Sequence, residues 1–192
     1  MGLTEAATLP MNGLTAQVAL EALGAEHGGT IAVTGAAGAL GGYTVQLAKA
    51  AGLRVIADSS KKDEVLVRSL GADELVPRGS GVADHILALA PGGVAGLMDA
   101  SVQQNEVVPA IRPDGVLVEV RAWEGSPVHG IEQRTVSVTQ AESPADIQEI
   151  LVKGQGSRVK GQGSRATVHG WVVVDHSFFP VARWCPWLAP RT

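Results

Sequence analysis

The chain has 192 residues, of which 45% are hydrophobic and 18% charged, and its formal net charge is −4. This composition is typical of a folded globular chain and excludes a disordered one. The acidic balance argues against a nucleic-acid or anionic-membrane surface, and no apolar run reaches the roughly 18 residues of a membrane span.

The first predicted elements alternate between helix and strand. Apolar positions of 13–23 fall on one helical face, and the short apolar run 31–35 ends in small residues, as a buried strand does. A helix over 38–52 follows, stopped by Gly52, with Val45, Leu47, Ala48 and Ala51 expected on its inner face. The segment 54–58, apolar at its centre, predicts a second buried strand.

The same alternation continues to about residue 121. The predicted helices are 61–72, which ends at Gly71, then 81–91 and 105–115, the last with a turn; the predicted strands are 74–77, 96–101 and 116–121. Strands that alternate with helices at this spacing indicate an α/β fold, a doubly wound Rossmann-type parallel sheet with helices on both faces. We assign this domain to residues 1–148.

The character of the sequence changes after about residue 148. The heptapeptide VKGQGSR occurs twice in tandem, but Gly, Gln and Ser fill the positions where a coiled-coil seam needs apolar groups. We predict a flexible linker over 149–166 and an apolar tail over 167–192.

Cys185 is the single cysteine of the chain. Its isolation excludes an intramolecular disulfide and a zinc site built from several thiolates, and it favours a cytoplasmic location. The five histidines show no metal-ligand spacing, so we predict no metal site. No base lies near Cys185 in the sequence RWCPW, so it is not a predicted nucleophile.

The stretch VTGAAGALGG, residues 33–42, joins the first strand to the second helix. It carries the register Ala36-x-Gly38-x-x-Gly41, close to the G-x-G-x-x-G fingerprint that lets a pyrophosphate approach the main chain at a helix N-terminus. Asp58 lies twenty residues after Gly38, at the end of the next strand, where a carboxylate commonly holds a ribose hydroxyl. The pattern predicts dinucleotide binding, although packing alone also produces such turns.

Several segments in order resemble the medium-chain dehydrogenase/reductase superfamily, in particular its zinc-free quinone oxidoreductase branch. They are LPMNGLTAQVAL (9–20), VTGAAGALGGYTVQLAKAAG (33–52), RVIADSSKKDE (54–64), VRSLGADELV (67–76), GLMDAS (96–101) and PDGVLVEV (113–120). The resemblance covers roughly residues 5–140. It implies an oxidoreductase that passes a hydride from NAD(P)H to a small molecule, a quinone or conjugated carbonyl, and it allows for a homodimer.

The resemblance also implies roles for particular residues. Thr15 would lie near the nicotinamide, and the pyrophosphate turn would comprise Ala37, Gly38, Ala39, Leu40 and Gly41. The adenosine end would be held by Ser59, Ser60, Lys61 and Lys62, with Arg78 nearby. Strand ends lining the groove would supply Ala100, Ser101, Val120 and Arg121. It implies no catalytic residue that we can place.

The sequence departs from the family pattern in two respects. Asp58 stands where relatives carry a small or hydroxyl residue, and its carboxylate would repel the 2′-phosphate that Lys61 and Lys62 attract, so the sequence leans only slightly to NADPH over NADH. The resemblance also implies a β-rich catalytic domain before this one, and we expect the chain to be a cofactor domain without it.

Two other interpretations are weighed against an enzyme. A non-catalytic nucleotide-binding module, or pseudoenzyme, would bind NAD(P)H without turning over substrate. The turn TGAAGALG also fits short-chain dehydrogenases, but those need a Tyr-x-x-x-Lys pair, and the only tyrosine, Tyr43, is followed four places on by Leu47. The short-chain interpretation is therefore excluded.

Overall fold

The computed structural model describes residues 3–121 and 130–137, with side chains from Met11 onward. Four helices are α1 (Leu3–Leu23), α2 (Ala39–Ala50), α3 (Glu64–Ser69) and α4 (Val82–Leu89). Six strands are β1 (Thr30–Thr34), β2 (Arg54–Ser59), β3 (Glu74–Pro77), β4 (Val94–Asp99), β5 (Ile111–Glu119) and β6 (Glu132–Thr135). All six lie in one compact unit, Thr8–Glu142.

The six described strands form one parallel sheet in the order β3-β2-β1-β4-β5-β6. The order reverses at β1, because the chain first moves outward to β3 and then returns to the other side of β1 with β4. This is the doubly wound order predicted from the alternation of elements, and it places a crevice between the carboxyl ends of β1 and β4.

Helices cover both faces of the sheet. Alternate residues of each strand point to opposite faces, so Ile31 and Val33 of β1 join one apolar cluster with side chains of α1, α2 and α3. Ala32, between them, joins a second cluster with Val82, Ala83 and Ile86 of α4. The sheet is therefore buried on both sides, which explains why its central strands are apolar runs rather than alternating patterns.

Several predicted boundaries change. The helix predicted over 61–72 is a 3₁₀ turn, Lys61–Asp63, followed by the shorter α3. Ala51, expected on the inner face of the second helix, is exposed where that helix ends. Gly52 does stop it, at φ +79°.

The helix predicted over 105–115 is wrong. Two 3₁₀ turns, Gln104–Glu106 and Val108–Ala110, occupy this segment, and β5 already begins at Ile111. Pro109 and Pro113 remove backbone donors that an α-helix would need. The two β-branched residues before Pro109, Val107 and Val108, also have low helix propensity. Strand β6 was not predicted. The linker predicted for 149–166 and the tail for 167–192 lie outside the described residues.

Candidate functional site

The glycine-rich turn lies at the point where the strand order reverses. Gly35 follows β1 with φ +68°, and a Cβ added there would come within 3.0 Å of the Ala100 carbonyl carbon, just after β4. Only a residue without a side chain permits this backbone conformation and this approach together. The turn therefore packs closely against the neighbouring loop at the carboxyl edge of the sheet.

Helix α2 begins in the turn with its N-terminal amides uncapped by a side chain. Gly38 is the N-cap and makes no side-chain hydrogen bond to the helix, while its carbonyl accepts from the Gly42 N–H at 2.8 Å. The first turn of a helix leaves its N–H groups without intrahelical partners, here those of Ala39, Leu40 and Gly41. These donors and the positive end of the helix dipole suit an anion such as phosphate.

Gly41 brings the helix against the strand. A Cβ added to it would clash with the Gly35 carbonyl oxygen and lie 2.7 Å from its carbon and 2.9 Å from the Ala36 Cα. Side chains of any size are thus excluded from this contact, which is the helix–strand packing role predicted for the third glycine of the fingerprint.

Asp58, at the carboxyl end of β2, is 1% exposed. Its Oδ1 accepts a hydrogen bond from the Ala36 N–H in the glycine turn at 3.0 Å. Its Oδ2 has no hydrogen bond within the described part of the chain and lies 3.5 Å from the Arg78 Nε. The carboxylate predicted to hold or repel the cofactor's adenosine end is engaged by the protein itself.

The other side of the turn is organised by Asp99, the last residue of β4, which is also 1% exposed. Its Oδ1 accepts from the Thr34 hydroxyl at 2.7 Å and from the Ser101 N–H at 3.2 Å, and its Oδ2 accepts from the Gln104 N–H at 2.7 Å. The loop that Asp99 holds contains Val102 at φ +59° and Gln104 at φ +54°, a backbone conformation that residues other than glycine rarely adopt.

Glu119 ends β5 in register with Asp99 and is 2% exposed. Its Oε1 accepts from the Gln133 side-chain amide at 2.6 Å, whereas its Oε2 is buried and accepts no hydrogen bond from residues 3–121 or 130–137. A third buried carboxylate therefore lies on the same edge and the same face of the sheet as Asp58 and Asp99.

The predicted adenosine-end residues lie at the end of β2 and in the turn that follows it. Ser59 is buried and donates to the Ser60 carbonyl, and the Ser60 hydroxyl donates to Asp63 Oδ2 at 2.6 Å. Lys61 and Lys62 are exposed in the 3₁₀ turn. Two long, flexible cationic side chains thus project beside the end of β2, where an anion from solvent can reach them.

The fold brings most of the predicted site residues to one edge. These residues lie at the carboxyl ends of strands or directly after them: the turn 37–41, the segment 58–62, Arg78, Ala100 with Ser101, and Val120 with Arg121. Thr15 instead lies within α1, where its hydroxyl donates to the Met11 carbonyl at 2.7 Å. The sequence did not indicate the contact of Thr34 with Asp99; a hydroxyl residue directly before the glycine turn was the only available signal.

Neither a metal-ligand cluster nor a membrane-spanning helix is present within the described ranges, 3–121 and 130–137. No three His, Cys, Asp or Glu side chains lie together as potential metal ligands there. None of the helices described is both long and apolar enough to cross a bilayer.

The model of the zinc-binding dehydrogenase family matches residues 39–150. Alcohol dehydrogenase 2 of Caenorhabditis elegans is 33% identical over 165 residues, which are 82% of this chain and 44% of the relative. The chloroplast envelope quinone oxidoreductase homolog of Arabidopsis thaliana is 45% identical over 82 residues, 40% of this chain and 25% of that protein.

A solved structure adds the fold. The quinone oxidoreductase from Thermus thermophilus, described together with its complex with NADPH, superposes with a TM-score of 0.68 at 30% identity. The match covers 79% of this chain and 52% of the T. thermophilus chain. The chain thus spans about half the length of that structure and 44% of the C. elegans relative. By the family match and the shared fold, this chain belongs to the zinc-binding dehydrogenase family of medium-chain dehydrogenase/reductases, resembles its quinone oxidoreductases, and contains their cofactor-binding domain.

Proposed function

We propose that this domain binds NADPH across the carboxyl edge of its sheet and serves an oxidoreductase that reduces a quinone or a conjugated carbonyl. The observation that carries the proposal is the turn 35–41, in which missing side chains leave the first amides of α2 open to a pyrophosphate. The T. thermophilus relative, described in complex with NADPH, supports the choice of cofactor.

The residues of the chain bind and orient the nucleotide. Main-chain amides of Ala39, Leu40 and Gly41 would hold the pyrophosphate, and Lys61, Lys62 and Arg78 would meet the 2′-phosphate by charge. The loop that Asp99 fixes after β4, with Val120 and Arg121 after β5, would line the groove toward the nicotinamide. The nicotinamide itself supplies the hydride, as cofactors carry the redox chemistry in such enzymes.

The location and assembly of the chain are part of the proposal. The single Cys185 supports a cytoplasmic location, where thiols stay reduced. A homodimer is proposed from the family resemblance, and size-exclusion chromatography with light scattering tests it directly.

Calorimetric titration of the full chain with NADPH and NADH tests binding, and NADPH oxidation with and without a quinone tests turnover. We expect saturable binding, accompanied by a rise in melting temperature because the ligand prefers the folded state. Binding without quinone-dependent oxidation would favour a nucleotide-binding module over an enzyme. No binding of either nucleotide would contradict the proposal.

A further inference from the structure

Resting on the proposed function, we infer that Asp58 is a positioning residue that couples the phosphate-binding turn to Arg78, and that it favours NADPH instead of repelling it. A carboxylate at the end of the second strand is expected to accept from a ribose hydroxyl or to oppose a 2′-phosphate. Neither action suits Asp58, because its side chain is fully buried and both of its oxygens face protein groups.

The first half of the coupling is the hydrogen bond to the turn. The Ala36 N–H donates to Asp58 Oδ1 at 3.0 Å, across 22 residues of sequence. Ala36 directly follows Gly35, the residue of the turn that packs on the loop after β4, and it lies beneath the contact with Gly41. Fixing this amide fixes the path of the main chain from β1 into α2.

The second half is the ion pair with Arg78. Asp58 Oδ2 lies 3.5 Å from the Arg78 Nε and accepts no hydrogen bond from the described residues, while the main-chain N–H of Arg78 donates to the Ser59 carbonyl at 3.1 Å. Arg78 is therefore held at two points of the β2 end, its main chain by Ser59 and its guanidinium Nε by Asp58. Its side chain is 40% exposed, so an anion from solvent can reach it.

This ion pair changes the charge balance at the adenosine end of the site. A buried carboxylate is compensated by Arg78 and therefore contributes little net repulsion, while Lys61 and Lys62 remain exposed beside it. An arginine side chain loses much rotamer freedom when it binds an anion. Asp58 imposes part of that order beforehand by holding the guanidinium at Nε, so less freedom is lost when the 2′-phosphate binds.

The test is a double-mutant cycle on the full chain, with NADPH and NADH affinities measured by calorimetry. Asparagine offers one acceptor oxygen where Asp58 uses two, so D58N keeps the turn bond but loses the tether of Arg78. We expect D58N to weaken NADPH binding about fivefold, a difference of about 1 kcal/mol, and to leave NADH within about twofold. R78Q should weaken NADPH at least as much, and D58N/R78Q should not be weaker than R78Q alone.

Controls separate this effect from charge and from folding. E64Q removes an exposed carboxylate close to the lysines and should leave the NADPH-to-NADH ratio unchanged within about twofold. Melting curves establish that each variant is folded, and R78Q, at an exposed position, carries the test if D58N is not.

The outcomes divide cleanly. Tighter NADPH binding by D58N, an unchanged ratio, or a further loss when D58N is added to R78Q would show that the carboxylate is repulsive, is inert or acts without Arg78, and would overturn the inference alone. A wild-type chain that prefers NADH would overturn it too. A wild-type chain that binds neither nucleotide would contradict the proposed function, and the inference with it.

Discussion

Gly41 is the residue at which α2 comes nearest to the strand that precedes it. A methyl group there meets the main chain of Gly35 and Ala36, which cannot rotate away as a side chain can. We expect G41A to lower the free energy of unfolding by about 2 kcal/mol, the range found for overpacked sites, and to weaken nucleotide binding because the turn must shift. Urea unfolding and NADPH titration measure the two effects.

Gly92 provides the matched control for this substitution. A Cβ added to Gly92 meets no atom within 4 Å, and its φ is not in the left-handed region. G92A should change the unfolding free energy by less than about 0.5 kcal/mol. A G41A chain as stable as G92A would show that the turn tolerates a side chain, contrary to the close packing described.

Val102 is the second residue with a local energetic consequence. A β-branched side chain at φ +59° is strained by about 1–2 kcal/mol, while glycine loses about 0.5–1 kcal/mol through its extra freedom in the unfolded chain. Since Val102 is 41% exposed, little buried area is lost on truncation. We expect V102G to stabilise the protein by about 0.5 kcal/mol in urea unfolding.

The same change at Val65 is its control. Val65 is 73% exposed in α3, where the backbone is helical, so V65G should destabilise by about 0.5 kcal/mol. Opposite signs for V102G and V65G are the expected result. Equal losses at both positions would mean that the loop after β4 is not strained at Val102.

At the scale of elements, Lys49 and Asp73 join three segments. The Lys49 Nζ at the end of α2 donates to both oxygens of Asp73 at 2.8 Å and to the Leu53 carbonyl, while the Val55 N–H of β2 donates to Asp73 Oδ2 at 2.7 Å. Asp73 directly precedes β3. The contact therefore sets the end of α2, the start of β2 and the entry to β3 relative to one another.

Asp73 predicts an acid-dependent loss of stability. Partial burial acts to raise the pKa of Asp73, but the hydrogen bonds from Lys49 and Val55 and the charges of Lys49 and Arg54 outweigh it and hold the pKa below its ordinary value of 3.8. A carboxyl group whose pKa is lower in the folded state than in the unfolded state stabilises the fold at pH values above the unfolded-state pKa. This stabilisation is lost as the pH falls through the folded-state pKa. The contribution should therefore begin to fall below about pH 4 and be lost as the pH passes through the lowered folded-state pKa.

We expect D73N to lower the unfolding free energy by about 1 kcal/mol at pH 7, a value kept small because the pair is partly exposed. The gap between wild type and D73N should narrow as unfolding is measured toward pH 3. E26Q, at an exposed carboxylate, should show no such gap. A D73N difference that persists unchanged at pH 3 would contradict an electrostatic origin.

The elements show what the sequence could predict. Strands β1, β2 and β3 and helices α2 and α4 carry their own signals, namely apolar runs and glycine stops, and they form close to the predicted bounds. Strand β6 has the polar sequence EQRT and owes its place to neighbours, since Gln133 donates to Glu119 and the Arg134 guanidinium donates to the Ala22 carbonyl of α1. Contacts of that range leave no local pattern.

At the scale of the whole molecule, the strand order creates the site. Because the strand order reverses at β1, the glycine turn and the loop after β4 meet at one edge, and buried Asp58 and Asp99 hold them from either side. The fingerprint predicted the turn, since its residues are contiguous. It could not predict how Asp58 acts, because the partners of that carboxylate, Ala36 and Arg78, are about twenty residues away on opposite sides.

The amide signals of the turn offer the most direct measurement of the central claim, that main-chain N–H groups at the start of α2 bind the pyrophosphate. Titrating NADPH into the isotopically labelled full chain should shift the resonances of Ala39, Leu40 and Gly41 first and most, saturating with the calorimetric affinity. Saturable binding that leaves these three amides unmoved would contradict the account.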